Sequence, residues 1–414
     1  MHRATARAST FSPIGGLVPA AVLLVACSVA AAQNAALPSS LILLQRDGAR
    51  VCVDPVRGDD RAPGSEDQPL RSISAAIALV PDWLDAPVTI ELAPGDYADT
   101  GAHGMPLSSL FLSRRMAQGG LVTLVGRVGP GGELPVLAWE GGSSMVDVRE
   151  GDWRIENVQI GTFTTRQRRG ASVAGPGRLA LRDVTFRLRS LSDAGIYARQ
   201  GGDIALEGAI RLNEHLHESA EDETFCGIIA ENCGVVHFAG REGASLDMGN
   251  GSLSASYYGC IGLGCERARI TSWTHQSNCL AVNNGGRIDA HGTEITLCAK
   301  DPSNTPVGLE DDGHVLAEGA RIIIEGQGNG NAIVLQKAST LFCNDVEIRG
   351  VVRTAIWAMS GSVGLVGFVG DAPAIRATTG AHITVEKVGG TLVGPVEATR
   401  GASIDLPDGT VVRG

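Results

Sequence analysis

Lysine is almost missing from this chain. Lys300, Lys337 and Lys387 are the only three, and the formal net charge is −11. A chain of that charge does not offer the basic surface that a phosphate backbone needs, which excludes nucleic acid as a partner. Aromatic residues make up 4% of the sequence, too few for a broad sugar-stacking platform. The nine cysteines contain no C-x-x-C pair, so a zinc site has little to build on. After the N-terminus no stretch approaches the roughly 18 apolar residues of a membrane-spanning helix.

Glycine is what the chain has in excess. There are 55, with 43% apolar and 19% charged residues, a balance that means many tight turns and not disorder. A phrase recurs through the second half: a small turn residue, usually glycine, then a short alternating apolar run. It stands at Gly201, Gly234, Gly285, Gly313, Gly361, Gly380 and Gly401. Val363 to Ile383 is 20 residues and Ile383 to Ile404 is 21. A fixed period in that range means stacked similar units, and period-2 runs inside each unit mean strands. Alternate residues such as Ile383 and Val385 would then point into a narrow core.

The first 32 residues read as a secretory signal, with Arg3 and Arg7 before a short apolar core over 17–26. Two ends fit. Ala30-Ala31-Ala32 matches an A-x-A cleavage site before Gln33, and Leu24-Val25-Ala26-Cys27 resembles a bacterial lipobox that would lipidate Cys27. The plainer reading of Cys27 is a small apolar residue of the signal core. On any of these readings the mature protein is expected to be exported: periplasmic, cell-surface or extracellular. Residues 33–48 read as a lead-in linker, 49–120 as an N-terminal cap and first coils, and 121–414 as repeats.

Eight cysteines follow Cys27, an even number that permits disulfides in an exported protein. Aligned on the glycine turns, Cys260 and Cys279 fall at matching positions of neighbouring units, and Cys233 and Cys265 do so approximately. Adjacent strands lie within disulfide reach, so cross-rung bridges are one reading. Buried unpaired thiols are the other.

Residues 50–100 carry a specific order: Asp54, Gly58, Asp60, Pro63, Gly64, Ser65, Pro69, Leu70, Ser72, Ile73, Ala76, Ile77, then Pro94, Gly95 and Tyr97. This segment resembles the N-terminal opening of the right-handed parallel β-helix proteins, the pectin-lyase-like superfamily. The entry segment and the glycine-turn style also resemble phage tail-fibre or tail-spike β-helices, which implies a homotrimer as one oligomeric state. The expected fold is all-β: a right-handed parallel β-helix solenoid with a short N-terminal capping helix. In the family that helix covers the open end of the core. Here Ile73, Ala76, Ile77 and Val80 would form its apolar face, with Ser72 or Ser74 as cap. Two stretches, 212–224 and 250–258, read as loops leaving the stack.

The resemblance implies enzymes that cleave acidic polysaccharides. The lyases use an Arg or Lys base beside calcium held by carboxylates. The hydrolases use N-x-D and D-D motifs followed by G-H-G and R-x-K. Only D-D is present, at Asp59-Asp60 and Asp311-Asp312; the nearest G-H-G fragment, Ala290-His291-Gly292, lacks its first glycine. Glu310, Asp311 and Asp312 with His314 form the most catalytic-looking cluster, since close carboxylates can hold Ca²⁺ or share a proton. The plainer reading is an inter-strand turn, which Asp favours. Asp54, Asp59 and Asp60 could bind calcium or simply line a solvated acidic loop. His215 and His217 form an H-x-H that could hold a metal or lie exposed in a loop. Trp273 with His275, Trp83, and Tyr257 with Tyr258 could face outward against sugars. The expected function is therefore a non-catalytic, exported β-helix that binds a glycan or a surface protein. The alternative is a polysaccharide lyase or other carbohydrate-active enzyme acting on acidic glycans.

Overall fold

A computed structural model describes residues 49–98 (85 excepted), 110–113, 115–116, 120–139, 144–162, 166–217, 227–273, 278–301, 304–327 and 330–414. The expected signal, Cys27 and the lead-in lie outside the described residues, as do Cys226, His275 and the side chain of His215. The unit that begins at Ser40 is the one described.

That unit is a right-handed parallel β-helix. Each coil lays down up to three strands, and each strand pairs in parallel with its counterpart in the next coil. One coil runs Asp203–Glu207, Ala209–Leu212 and Gly227–Glu231. The next runs Val235–Phe238, Ser245–Met248 and Leu253–Ser256. Their pairings define three faces: Ile204 with Val236, Leu212 with Met248, and Ile228 with Leu253. In two later coils a single long strand, His314–Gln327 and then Thr340–Val351, covers the first two faces.

The core follows from period-2 alternation. On the first face Val236, Ile261, Ile288, Val315, Leu341, Gly364, Ile383 and Ile404 stack in register. The spacing along that column shortens toward the C-terminus, from 27 residues between Ile261 and Ile288 to 19 between Gly364 and Ile383. The expected alignment of Val363 with Ile383 is off by one. Val363 pairs with His382 and faces solvent, while Gly364 holds the inward position. Leu335 and Ile356 already fill the space there: a Cβ on Gly364 would come within 3.3 Å of both.

The N-terminal cap explains the opening motif residue by residue. The helix Ile73–Leu79 buries Ile73, Ala76 and Ile77, and the Ser72 hydroxyl accepts from the Ala75 amide. Asp60 in turn accepts from the amides of Arg71 and Ser72 and from the Ser72 hydroxyl, so it fixes the cap. Gly58 sits where a Cβ would stand 2.1 Å from the Leu70 carbonyl oxygen. The buried Tyr97 hydroxyl reaches the carbonyls of Val53 and Ala93. An unpaired first rung of a stacked sheet needs such a cover.

Between the third and first faces every coil from Gln200 onward turns through two left-handed residues. Examples are Asn232-Cys233, Tyr257-Tyr258, Asn284-Gly285, Asp311-Asp312, Thr379-Gly380 and Arg400-Gly401. Amide-to-carbonyl bonds tie these turns into a column: Tyr258 donates to Asn284, Gly285 to Asp311, and Asp312 to Lys337. The glycine that follows the pair has a different cause. A Cβ on Gly286 would lie 2.2 Å from the Ala255 carbonyl oxygen, so the constraint is close approach of one coil to the last and not backbone dihedral freedom.

One expected feature is corrected. Residues 250–258 do not leave the stack: Leu253–Ser256 is an ordinary rung, and Tyr257-Tyr258 is the turn that ends it. The last rung, Ser403–Asp405, is not left open on the first face. The strand Val411–Arg413 folds back and pairs with it antiparallel, placing Val412 against Ile404.

The bridge between Cys260 and Cys279 is also overturned. Cys260 is in register with Val235 and Arg287 on the first face, whereas Cys279 precedes the third-face strand Leu280–Asn283. Both thiols are free, as are Cys233 and Cys265. Glycine turns recur with similar spelling but mark different corners, which is why alignment on them misplaced the pair. Burial pushes the Cys265 and Cys298 thiols up to about 11 and that of Cys279 further, as fits apolar packing.

Candidate functional site

The residues singled out in the sequence are mostly engaged elsewhere. Asp311 and Asp312 have φ of 50° and 62° and form the two-residue turn of their coil. Lys337 from the next turn binds Glu310 at 2.6 Å and Asp311 at 3.2 Å, and His314 Nε2 lies 3.4 Å from Asp312. Asp54 accepts from the amides of Val56 and Arg57 and from Arg57 Nε at 2.7 Å. Asp59 caps the Arg61 amide. Among the described residues no group of three or more His, Cys, Asp or Glu side chains is placed to hold a metal ion.

Trp273 does not offer its ring as an open sugar platform. Its indole N–H donates to the Leu216 carbonyl at 2.7 Å, and its amide donates to the Asn250 side chain. Lys300 sits 5.6 Å from the ring centroid. The indole bond fastens the short 3-10 helix Glu214–His217, the start of the excursion expected at 212–224, onto the second face. His217 makes the same attachment. It is buried, with Nδ1 2.7 Å from the Thr271 hydroxyl and Nε2 against the Asp247 carboxylate.

Asp247 belongs to a polar groove on the second face. Arg211, Asp247, Arg269 and Thr296 stack in one outward column over four coils. Ser245, Arg267 and Glu294 form the column beside it. They face outward because their neighbours Ile210, Leu246, Ala268 and Ile295 are buried. The two columns line a groove of about 360 Å³. Glu294 is shared with Arg321 at 3.6 Å. Among the described residues, Arg211, Arg267 and Arg269 make no ion pair and no side-chain hydrogen bond.

Three guanidiniums without carboxylate partners stand out in a chain with an excess of acid. Adjacent strands are about 4.8 Å apart. Arg211 and Arg269 therefore stand two coil spacings apart with Asp247 between them. That pattern can take two anionic groups in a row, each by the forked donors of a guanidinium, with Asp247 left to accept from hydroxyls. The sequence signals for this site were weak: the Arg-x-Arg alternation at 267–269, and the break in period just after Arg211.

A second outward polar cluster is closed on itself. Asp147, Ser172 and Tyr197 occupy outward positions of the third face yet are buried. Ser172 donates to Asp147 at 2.9 Å, and Arg149 grips the same carboxylate at 2.6 and 2.8 Å. Tyr197 bonds Glu231 and carries the Arg169 guanidinium over its ring at 3.8 Å. Burial first, then Glu231, pushes the Tyr197 hydroxyl up to about 12. The cluster satisfies its own groups and reads as structural.

Residues 56–111 match a family described as "Protein of unknown function (DUF1565)". None of the curated proteins matches the chain. Among solved structures the chain is similar to a GH136 lacto-N-biosidase from Eubacterium ramulus, at 12% identity and a TM-score of 0.29, over 86% of this chain and 68% of that one.

Proposed function

We propose that this protein is an exported β-helix that binds an acidic glycan along its second face, in the groove of Arg211, Arg267 and Arg269. The observation that carries the reading is that these three outward arginines share one groove and have no carboxylate partner among the described residues. Binding is the primary role, with glycan units laid along the stacking direction. Display at a surface is part of the same reading, either anchored at Cys27 or released at Gln33. The mass of the mature N-terminus decides between those two.

The test is titration calorimetry with polygalacturonate and alginate oligosaccharides, with and without Ca²⁺. Micromolar to millimolar binding that disappears in the Arg211→Ala/Arg269→Ala double variant is the expected outcome. No binding of either glycan would sink the reading. The lyase alternative draws on Asp247, which His217 holds beside the arginines. Ultraviolet absorbance of an unsaturated uronate, growing with time, would replace binding by catalysis. Sedimentation velocity with and without glycan reads the oligomeric state, for which a homotrimer is the expectation drawn from the tail-fibre likeness.

A further inference from the structure

On the third face two stacked outward positions are small. Ala281 and Gly308 are in-register neighbours, between Ser254 on one side and Val334 on the other. Their missing bulk leaves a pocket of about 210 Å³ walled by Asn278, Asn283, Thr305, Glu310 and Gln336. Gly308 does not serve a turn; it lies in the middle of the strand Val307–Leu309. A Cβ there would stand 2.0 Å from Asn278 Nδ2, so glycine is what lets that amide lie across the floor. No arginine or lysine lines the pocket, and Lys337 nearby is held by Glu310 and Asp311. Amides, a hydroxyl and one carboxylate donate and accept in several directions. They suit an uncharged, hydroxyl-rich ligand and not an anion.

The neighbouring turn supplies an independent observation. Tyr257 and Tyr258 have φ of 49° and 64°, a region unfavourable for bulky side chains. At the position of Tyr258 other coils place Gly201, Gly285, Gly361, Gly380 and Gly401, or the smaller Cys233, Asp312 and Ala338, and no other aromatic. Tyr258 is nonetheless 74% exposed. Its ring lies over Gly285, whose added Cβ would meet ring carbons at 2.8 and 2.9 Å. Gly285 is two residues from the pocket wall at Asn283. Backbone strain that holds a ring on the surface, with no core to fill, points to a ligand. An aromatic face beside converging amides is the combination that grips a pyranose, C–H face on the ring and hydroxyls on the amides.

We propose that this pocket binds one neutral sugar unit, with its hydroxyls on Asn278, Asn283, Glu310 and Gln336 and one face toward Tyr258. The site lies on a different face from the arginine groove and does not depend on it. Saturation-transfer NMR of the full chain reads it, with glucose, galactose, mannose, N-acetylglucosamine and N-acetylgalactosamine as probes. At least one probe is expected to receive saturation. Gly308→Val, which fills the floor, is expected to remove it. Asn283→Ala, at a partly exposed wall position that leaves the fold alone, is expected to weaken affinity at least fivefold. Arg211→Ala/Arg269→Ala is expected to leave it unchanged. The proposal is overturned if no probe receives saturation, if either pocket variant binds as well as the parent, or if the arginine variant abolishes the signal.

Discussion

Arginine plays opposite parts at two places on this solenoid. Near the N-terminus Arg50 and Arg127 flank Glu91 in successive coils; Arg127 Nε donates to it at 2.6 Å, and Arg127 also reaches Glu66 at 3.2 Å. In the middle of the second face Arg211, Arg267 and Arg269 stand in equally ordinary outward strand positions and make no ion pair among the described residues, although Asp247 stacks between Arg211 and Arg269 and Glu294 beside Arg267. The strands supply the same geometry in both regions. What differs is what already holds the nearby carboxylate: Asp247 lies against His217 and Glu294 is shared with Arg321, whereas Glu91 is gripped by its two arginines. On a β-helix, therefore, a charged side chain becomes structural or available according to how the opposite charges around it are already engaged.

The largest expected effect breaks the comparison at the groove. Arg211→Ala/Arg269→Ala should weaken acidic-glycan binding on the order of 100-fold, since each charge-assisted contact is worth about 1.5–3 kcal/mol. It should shift stability by less than about 0.5 kcal/mol, because neither side chain has a partner to lose. Calorimetry and thermal melting read the two numbers on one sample. Glu91→Ala should do the reverse, costing roughly 1–2 kcal/mol in a melt and leaving glycan affinity alone, because it strands two guanidiniums on a partly buried carboxylate site.

Acid should separate the regions next. Burial works to raise the Glu91 carboxyl, but hydrogen bonds from Arg50 and Arg127 overcome it and hold the group below its ordinary 4.5. Asp54 behaves alike: its desolvation is outweighed by the Arg57 and Val56 donors, and it falls below 3.8. A carboxyl depressed by folding stabilises fully above its ordinary value, and that stability drains as pH falls below it. Melting temperature should therefore drop steeply below about pH 4, and Glu91→Gln should flatten part of the drop. The smallest effect is a gain. Tyr258→Gly should raise stability by about 1 kcal/mol, because glycine carries no penalty in the left-handed region, and a denaturant titration measures it.

The fold was legible because its rules are local. Asp60 fixes Ser72, Gly58 clears Leu70, and Tyr97 closes the loop within one stretch of about fifty residues, so their order in sequence is already the structure. The glycine phrase was legible too, although its cause is contact between coils as much as turning. The groove was not legible. Arg211, Asp247 and Arg269 are brought together only by register, which depends on how many residues each coil spends at its corners. Any strand here alternates polar and apolar residues, so an outward arginine looks the same whether or not it closes on a carboxylate. The failed Cys260–Cys279 pairing has the same origin.

The column of left-handed turns carries a consequence of its own. Because each corner is fastened to the next through backbone amides and carbonyls, its side chains are free of structural duty. Cysteine, tyrosine, aspartate, lysine and glycine all occupy it without altering the rungs on either side. The corner is a rack with interchangeable slots, one to each coil from Gln200 onward. New surface chemistry can be mounted there one coil at a time, and the architecture beneath it does not have to change.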